Sequence, residues 1–152
     1  MTEFYDIVDK VRDELRNNLS INTVTFGDLT DVDLDKHTIF PLAHIYIDNV
    51  QPVQGALRFN ISILVMDVVD YNKDQTSGDD FYQADNLHDV LNTQLATLNK
   101  VVSELKRGTL YKDQYQLDAE PTFEPFKERF KNLLAGWETS ISILVKNELR
   151  IC

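Results

Sequence analysis

The stretch Arg58 to Asp70, RFNISILVMDVVD, limits what this chain can become more than any other. Side chains alternate across a strand, so Phe59, Ile61, Ile63 and Val65 fall on one face. Ser62, Leu64, Met66 and Val68 fall on the other. Both sets are largely apolar, which predicts a central strand covered on both sides rather than a half-wetted edge. The β-branched residues and the lack of internal Gly or Pro favour a strand over a buried helix. A near copy comes late: NISILVMD (60–67) is echoed by SISILVKN (140–147), and two strands of the same alternation suit neighbouring places in one sheet. An echo this short falls below the period of about 20–50 residues that marks a repeat architecture. Nothing in the stretch is catalytic in character.

The length of 152 residues predicts one domain, 1–152, able to bury about 68–70% of its unfolded surface without a metal or disulfide. The lone cysteine, Cys152, has no internal partner, which fits a reducing compartment or a protein that never uses disulfides. The opening MTEFYDIVDK alternates charge with apolar groups and is not a secretory signal. No run approaches the ~20 apolar residues of a membrane span. A formal charge of −10 argues against gripping nucleic-acid phosphates, which takes clustered Lys and Arg. It is compatible with lining a path along which DNA slides, and it is equally the mark of an ordinary acidic protein.

In chain order, residues 3–18 predict an amphipathic helix through Phe4, Ile7, Val8, Val11 and Leu15, with Thr2 as N-cap. A short strand is expected at 21–27. The following Gly27 to Lys36, GDLTDVDLDK, reads as an irregular strand or turn with its acids in solvent. A strand follows over 38–48, its pairing starting after Pro41, and Asn49 to Gly55 supplies a connection of moderate length to the central strand. Asp70 to Asp80 reads as a mobile polar surface loop or a long extension of a hairpin. Phe81 to Lys106 predicts the longest helix, with a stripe of Ala84, Leu87, Leu91, Leu95, Leu98, Val102 and Leu105 and a stop at Gly108. Tyr111 to Phe123 alternates weakly through Tyr115, Leu117 and Ala119. Phe123, Phe126 and Phe130 lie in a segment that Pro125 keeps from being a long helix. Leu133 to Val145 is the last strand; Gly136 permits a bulge and Trp137 anchors a core or an interface. The sum is an α+β fold, a mostly antiparallel sheet with an N-terminal helix and a long helix on one side.

Two acidic stretches invite a calcium reading, and both fail the EF-hand pattern. Starting at Asp31, the required Gly is Lys36 and the closing Glu is Leu42; starting at Asp70, they are Gln75 and Phe81. His37, His44 and His88 have no zinc spacing, and His88 on the long helix reads as an ordinary partly buried residue. There is no GxGxxG, GxxxxGK[ST] or GxSxG. Carboxylates are so abundant that no pair of them is informative. The residues therefore predict no enzyme, no cofactor, no metal and no catalytic residue.

The order of elements, the passage GDLTDVDLDKHTIFPLAHIYID into a hairpin, the long helix and the ending LLAGWETSISILV resemble bacteriophage tail-terminator and neck (head–tail completion) proteins. The resemblance spans nearly the whole chain by layout and rests chiefly on TIFPLAHIYI and on the GW-plus-strand ending. It implies a structural virion protein of a tailed phage, made in the host cytoplasm. Its subunits would form a homo-oligomeric ring, sixfold or twelvefold, joining portal or connector to tail tube while DNA passes without specific binding. Neither a membrane nor a catalytic residue belongs to that picture. A ring needs head-to-tail contacts, and the loops at 28–36, 49–55 and 70–80 are candidates for them or for the lumen. The charged residues concerned are Asp28, Asp31, Asp33, Asp35, Asp70, Lys73, Asp74, Asp79 and Asp80. The rival expectation is a small cytoplasmic ligand-binding or regulatory domain without catalysis, marked by a concave pocket.

Overall fold

The stretch around Ile61 does lie at the centre of the sheet. A computed structural model describes residues 3–32, 37–69, 87–108, 115–129 and 133–146. The elements in order are α1 (Glu3–Arg16), β1 (Thr23–Phe26), β2 (Leu42–Val53), β3 (Ala56–Val68), α2 (Leu87–Arg107), β4 (Gln116–Leu117), β5 (Phe123–Arg129) and β6 (Leu133–Lys146). The sheet runs β1-β2-β3-β6, with β4 and β5 both paired to β6. All pairings are antiparallel except β1 with β2. The fold class is therefore α+β with a mostly antiparallel sheet and two helices.

The two echoing segments are neighbours. In the β3–β6 ladder Ile61 faces Ile141, Asn60 faces Ser142 and Ser62 faces Ser140. Ile61 and Ile141 are also equivalent positions of the echo, so the pair has a local twofold axis through that rung. Hydroxyls meet hydroxyls on one face and β-branched side chains meet on the other.

Both helices pack on one face. Ile7, Val11 and Leu15 of α1 and Leu98, Val101 and Leu105 of α2 share a core with Ala43, Ile45, Phe59, Ile61, Ile63, Val65, Ile141 and Ile143. Trp137 ties β6 to α2, its indole Nε1 donating to the Leu91 carbonyl at 2.7 Å. The opposite face differs from the expected double coverage. A second, smaller core of Phe40, Leu42, Met66 and Leu134 closes only one end of it, with Leu29, Val32 and Ile39 packed alongside. Farther along β3, Arg58 and Asn60 are half-buried and lie under no helix among the described residues.

Several local expectations change. The predicted connection 49–55 is mostly strand: β2 continues to Val53, and Gln54–Gly55 makes a two-residue turn with Gly55 at φ 71°. A two-residue hairpin needs positive φ, which glycine takes without penalty. The bulge lies in β2, where the register shifts between Ile47 and Asn49, and not at Gly136. Gly136 serves a different need, since a Cβ there would overlap the Val65 carbonyl oxygen. Phe123 and Phe126 belong to β5, a strand that carries Pro125; among the described residues β5 pairs only with β6, and proline is tolerated on such an edge. Ala119 is exposed and lies outside the two-residue β4. The described part of the long helix buries Val90, Gln94, Thr97, Leu98, Val101, Val102 and Leu105. Its inward face is thus rotated from the expected leucine stripe, and Leu87, Leu91 and Leu95 sit at the flanks. Ala84 and residues 81–86 lie outside the described residues. Of the two expectations for the Gly27–Lys36 passage, strand or turn, the described part takes the turn, a 3-10 turn at Leu29–Asp31, and residues 33–36 lie outside the described residues.

Candidate functional site

Of the charged candidates, Asp28 is the best defined. It caps the Leu29–Asp31 turn by accepting from the Thr30 backbone N–H at 3.0 Å. The Thr30 N–H, and then its hydroxyl, hold the Asp28 carboxyl below the usual carboxylate range. This is turn chemistry of the kind Asp performs before a helical turn. Asp31 sits inside the same turn. Asp33, Asp35, Asp70, Lys73, Asp74, Asp79 and Asp80 lie outside the described residues. Among the described residues no three His, Cys, Asp or Glu side chains are grouped to hold a metal ion.

His44, which spacing arguments left isolated, is fully buried and fully bonded. Its Nε2 lies 2.8 Å from the Gly27 carbonyl, which can only accept, so Nε2 carries the proton. Its Nδ1 then accepts from the Thr25 hydroxyl at 2.7 Å. Burial pushes the imidazole below its ordinary pKa, against the opposing pull of the Gly27 carbonyl and Asp28. His44 therefore fastens β1 to β2 as a neutral ring and offers neither nitrogen to a ligand. His88 is exposed rather than partly buried. Gln94 is the anomaly of the core: its amide is buried, and among the described residues neither Nε2 nor Oε1 has a partner.

The face that no described helix covers carries a seam of polar groups. The Ser62 hydroxyl donates to Asp48 Oδ2 at 2.7 Å and lies 3.0 Å from the Ser140 hydroxyl. Ser142 donates to Asn60 Oδ1 at 2.6 Å, and Asn60 Nδ2 donates to Asn49 Oδ1 at 2.5 Å. Tyr46 reaches Glu138 at 3.2 Å, and Arg58 Nε lies 2.7 Å from Asp118 Oδ2. Alternation from Tyr46 puts Asp48 on this face, opposite to Ile47, and the β2 bulge adds Asn49 beside it, opposite Asn60. The seam binds β2, β3 and β6 laterally and presents a surface of hydroxyls, amides and carboxylates. Residues 48–52 and the turn at 54–55 are exposed, so the hairpin end of the seam stands in solvent.

On the other face, a groove of about 260 Å³ opens between α1 and β1. Phe4, Tyr5 and Val8 form one wall, and Val24 and Phe26 the other. Phe4 stacks edge-on against Phe26, with ring centres 6.5 Å apart, and leans on the core ring of Phe59 at the same distance. Phe4, Tyr5 and Phe26 keep 36%, 70% and 50% of their surface exposed, a concentration of aromatic surface unusual outside a contact site. The sequence signal was Phe4 at the head of the helix stripe, where it counted as core. Its partner Phe26 comes 22 residues later, and nothing in the spacing joins the two.

A scan against models of known protein families finds none that matches this chain, and no curated protein sequence matches it. No helix among the described residues is long and apolar enough to cross a membrane.

Proposed function

We propose that this protein is a structural assembly subunit whose work is done by surfaces rather than by a reactive centre. In its specific form it is a ring-forming subunit at the neck or tail terminus of a tailed bacteriophage. The observation that carries this reading is the β2–β3 hairpin, which ends in an exposed polar stretch held in shape by Asn49–Asn60 and Gln51–Arg58 contacts. A preformed hairpin end loses little conformational freedom when it docks on a neighbour. The sheet also ends in two unlike edges, β1 on one side and β4 with β5 on the other. Unlike surfaces on opposite sides are what a head-to-tail ring requires. The net charge of −10 suits a lumen from which DNA is repelled.

Light scattering of the purified protein across concentrations, with negative-stain images of the same samples, tests the proposal. Rings of constant stoichiometry, alone or after addition of portal or tail-tube protein, are the expected result. A monomer at every concentration that binds neither of those proteins overturns it. That outcome would favour the second reading, a small binding domain, for which the apolar groove beside α1 is the specific observation.

A further inference from the structure

His44 has no exposed surface, yet the segment that covers it is itself shallow. Its two ring nitrogens meet Thr25 and Gly27, so β1 and the start of the following turn lie over the imidazole. Over residues 22–32 every described side chain is half-buried or exposed; the flanking buried anchors are Ile21 before it and Phe40 after it. Among the described residues β1 pairs with β2 alone. Beyond that ladder it is held by Val24 at the margin of the main core and by the edge-on contact of Phe26 with Phe4. A cavity of about 320 Å³, lined by Gly27, Asp28, Leu29, Tyr46 and Leu64, lies between the turn and the sheet.

A second proton on the ring breaks neither of its bonds. Nε2–H still donates to the Gly27 carbonyl, and Nδ1–H donates to the Thr25 oxygen once that hydroxyl has turned. What changes is the charge, which now stands where water does not reach and is costly there. The described groups around it offset little of that cost. Asp28, in the same covering segment, carries the carboxylate that pulls on the ring, but it is exposed and already accepts from Thr30. On β2 the neighbour is Tyr46, a phenol with its ring centre 6.2 Å away, bonded in turn to Glu138 of β6. β3 places Leu64 opposite His44 and brings no titratable group to that rung. Both helices pack on the other face of the sheet. Lifting the cover hydrates the charge at the expense of a four-residue strand, whereas moving β3 or β6 would open the core.

We propose that β1 and the turn after it form a proton-sensitive latch: protonation of His44 lifts residues 22–31 off β2 while the β3–β6 ladder stays closed. Residues 42–45 of β2 then become the edge of the sheet. The closed ring is held neutral by burial, and an open ring titrates near 6.5. The open fraction is therefore smallest above that pH and rises by up to about tenfold per unit below it, until the closed form also takes the proton. The latch rests on His44 and its cover alone and does not depend on assembly into rings.

Amide hydrogen exchange followed by NMR tests this, with rates corrected for the intrinsic effect of pH. The reporters are the Thr23 and Gly27 amides, which donate to Pro41 and Ile45, against the amides of β3, a strand paired on both sides. At every pH the reporters should be protected much less than β3, the mark of a local opening. From pH 7.5 to 5.5 their protection should fall severalfold, with a ceiling of about tenfold. It should stay level in His44→Gln, whose amide keeps a donor for Gly27 and takes no proton. If that variant does not fold, carbon-13 titration of the His44 ring in the unaltered protein replaces it, with a midpoint expected below the ordinary 6.5. Protection equal to that of β3 overturns the proposal, because β1 would then open only with the whole fold. So does protection that pH leaves unchanged, or that changes alike in His44→Gln. A ring titrating at 6.5 or above also overturns it, since the closed form would then hold the charge without penalty.

Discussion

The two faces of β3 are built from adjacent residues and obey different rules. Phe59, Ile61, Ile63 and Val65 lie under both helices with almost no exposed surface. Arg58, Asn60 and Ser62, one residue out of phase, are held by hydrogen bonds and an ion pair on a face no described helix covers. Stability of the first face comes from removal of apolar area, which is non-directional and large. The second gains little net energy per bond, because the same groups bond well to water. It contributes direction instead, fixing which rung of β3 meets which rung of β6. One strand can therefore carry the core on one side and remain available for contact on the other.

That contrast is open to attack at four points. Phe59→Ala should cost about 3–5 kcal/mol in urea unfolding, as expected for a large ring lost from a packed core. If it costs no more than a change on the seam, the two faces are not different in kind. Gln94→Met tests the core from the opposite direction. Removing an orphaned buried amide while keeping its volume should stabilise by about 1–2 kcal/mol; a loss instead would reveal a partner satisfying the amide. Ser62→Ala should cost only about 1 kcal/mol, since Asp48 is exposed enough to turn to water.

The smallest expected effect is in the pH profile. His44 is buried neutral, so its folded pKa lies below the ordinary 6.5. Between the two values the unfolded chain binds more protons. Stability from this site is thus complete above about pH 6.5 and is lost as pH falls towards the folded pKa. His44→Gln should flatten that part of the thermal-midpoint profile. Glu14, whose carboxyl is raised by burial and then by Glu104, works in the opposite sense as pH falls. The test is therefore the difference between wild type and variant, and identical slopes would mean His44 is not held neutral.

What could be read from the residues divides along the same line. α1, β3, α2 and β6 were legible because their apolar period is strong and their ends are marked, as by Gly108 after α2. The position of the sheet pair was legible from the echo of NISILV in SISILV. The outer half of β2 was not, because Asn49, Gln51 and Pro52 look like connection, and only pairing with β3 makes them strand. β5 hid behind Pro125, which reads as a break unless the strand is known to be an edge. Leu64, Met66 and Val68 suggested full coverage of the second face. Their partners, Phe40, Leu42 and Leu134, are drawn from distant segments and reach only one end. The seam and the groove were invisible for a similar reason. Each is assembled across strands, and residue types alone do not say which of many serines or aromatics will meet.

The local twofold through Ile61 and Ile141 has a consequence for how this chain behaves before it is folded. A β3 segment that pairs with β6 can also pair with β3 of another molecule, because Ile61 to Val65 repeats Ile141 to Val145 side chain for side chain. Intramolecular pairing must first close the loop between Val68 and Leu134, about 65 residues, a cost that grows slowly with length but is not small. A second chain offers the same ladder with no loop to close, at a rate set only by concentration. The feature that gives the native sheet its exact-fitting central rung therefore makes dilution an ally of refolding. It also places the main competitor of the correct partner strand in every other copy of the molecule.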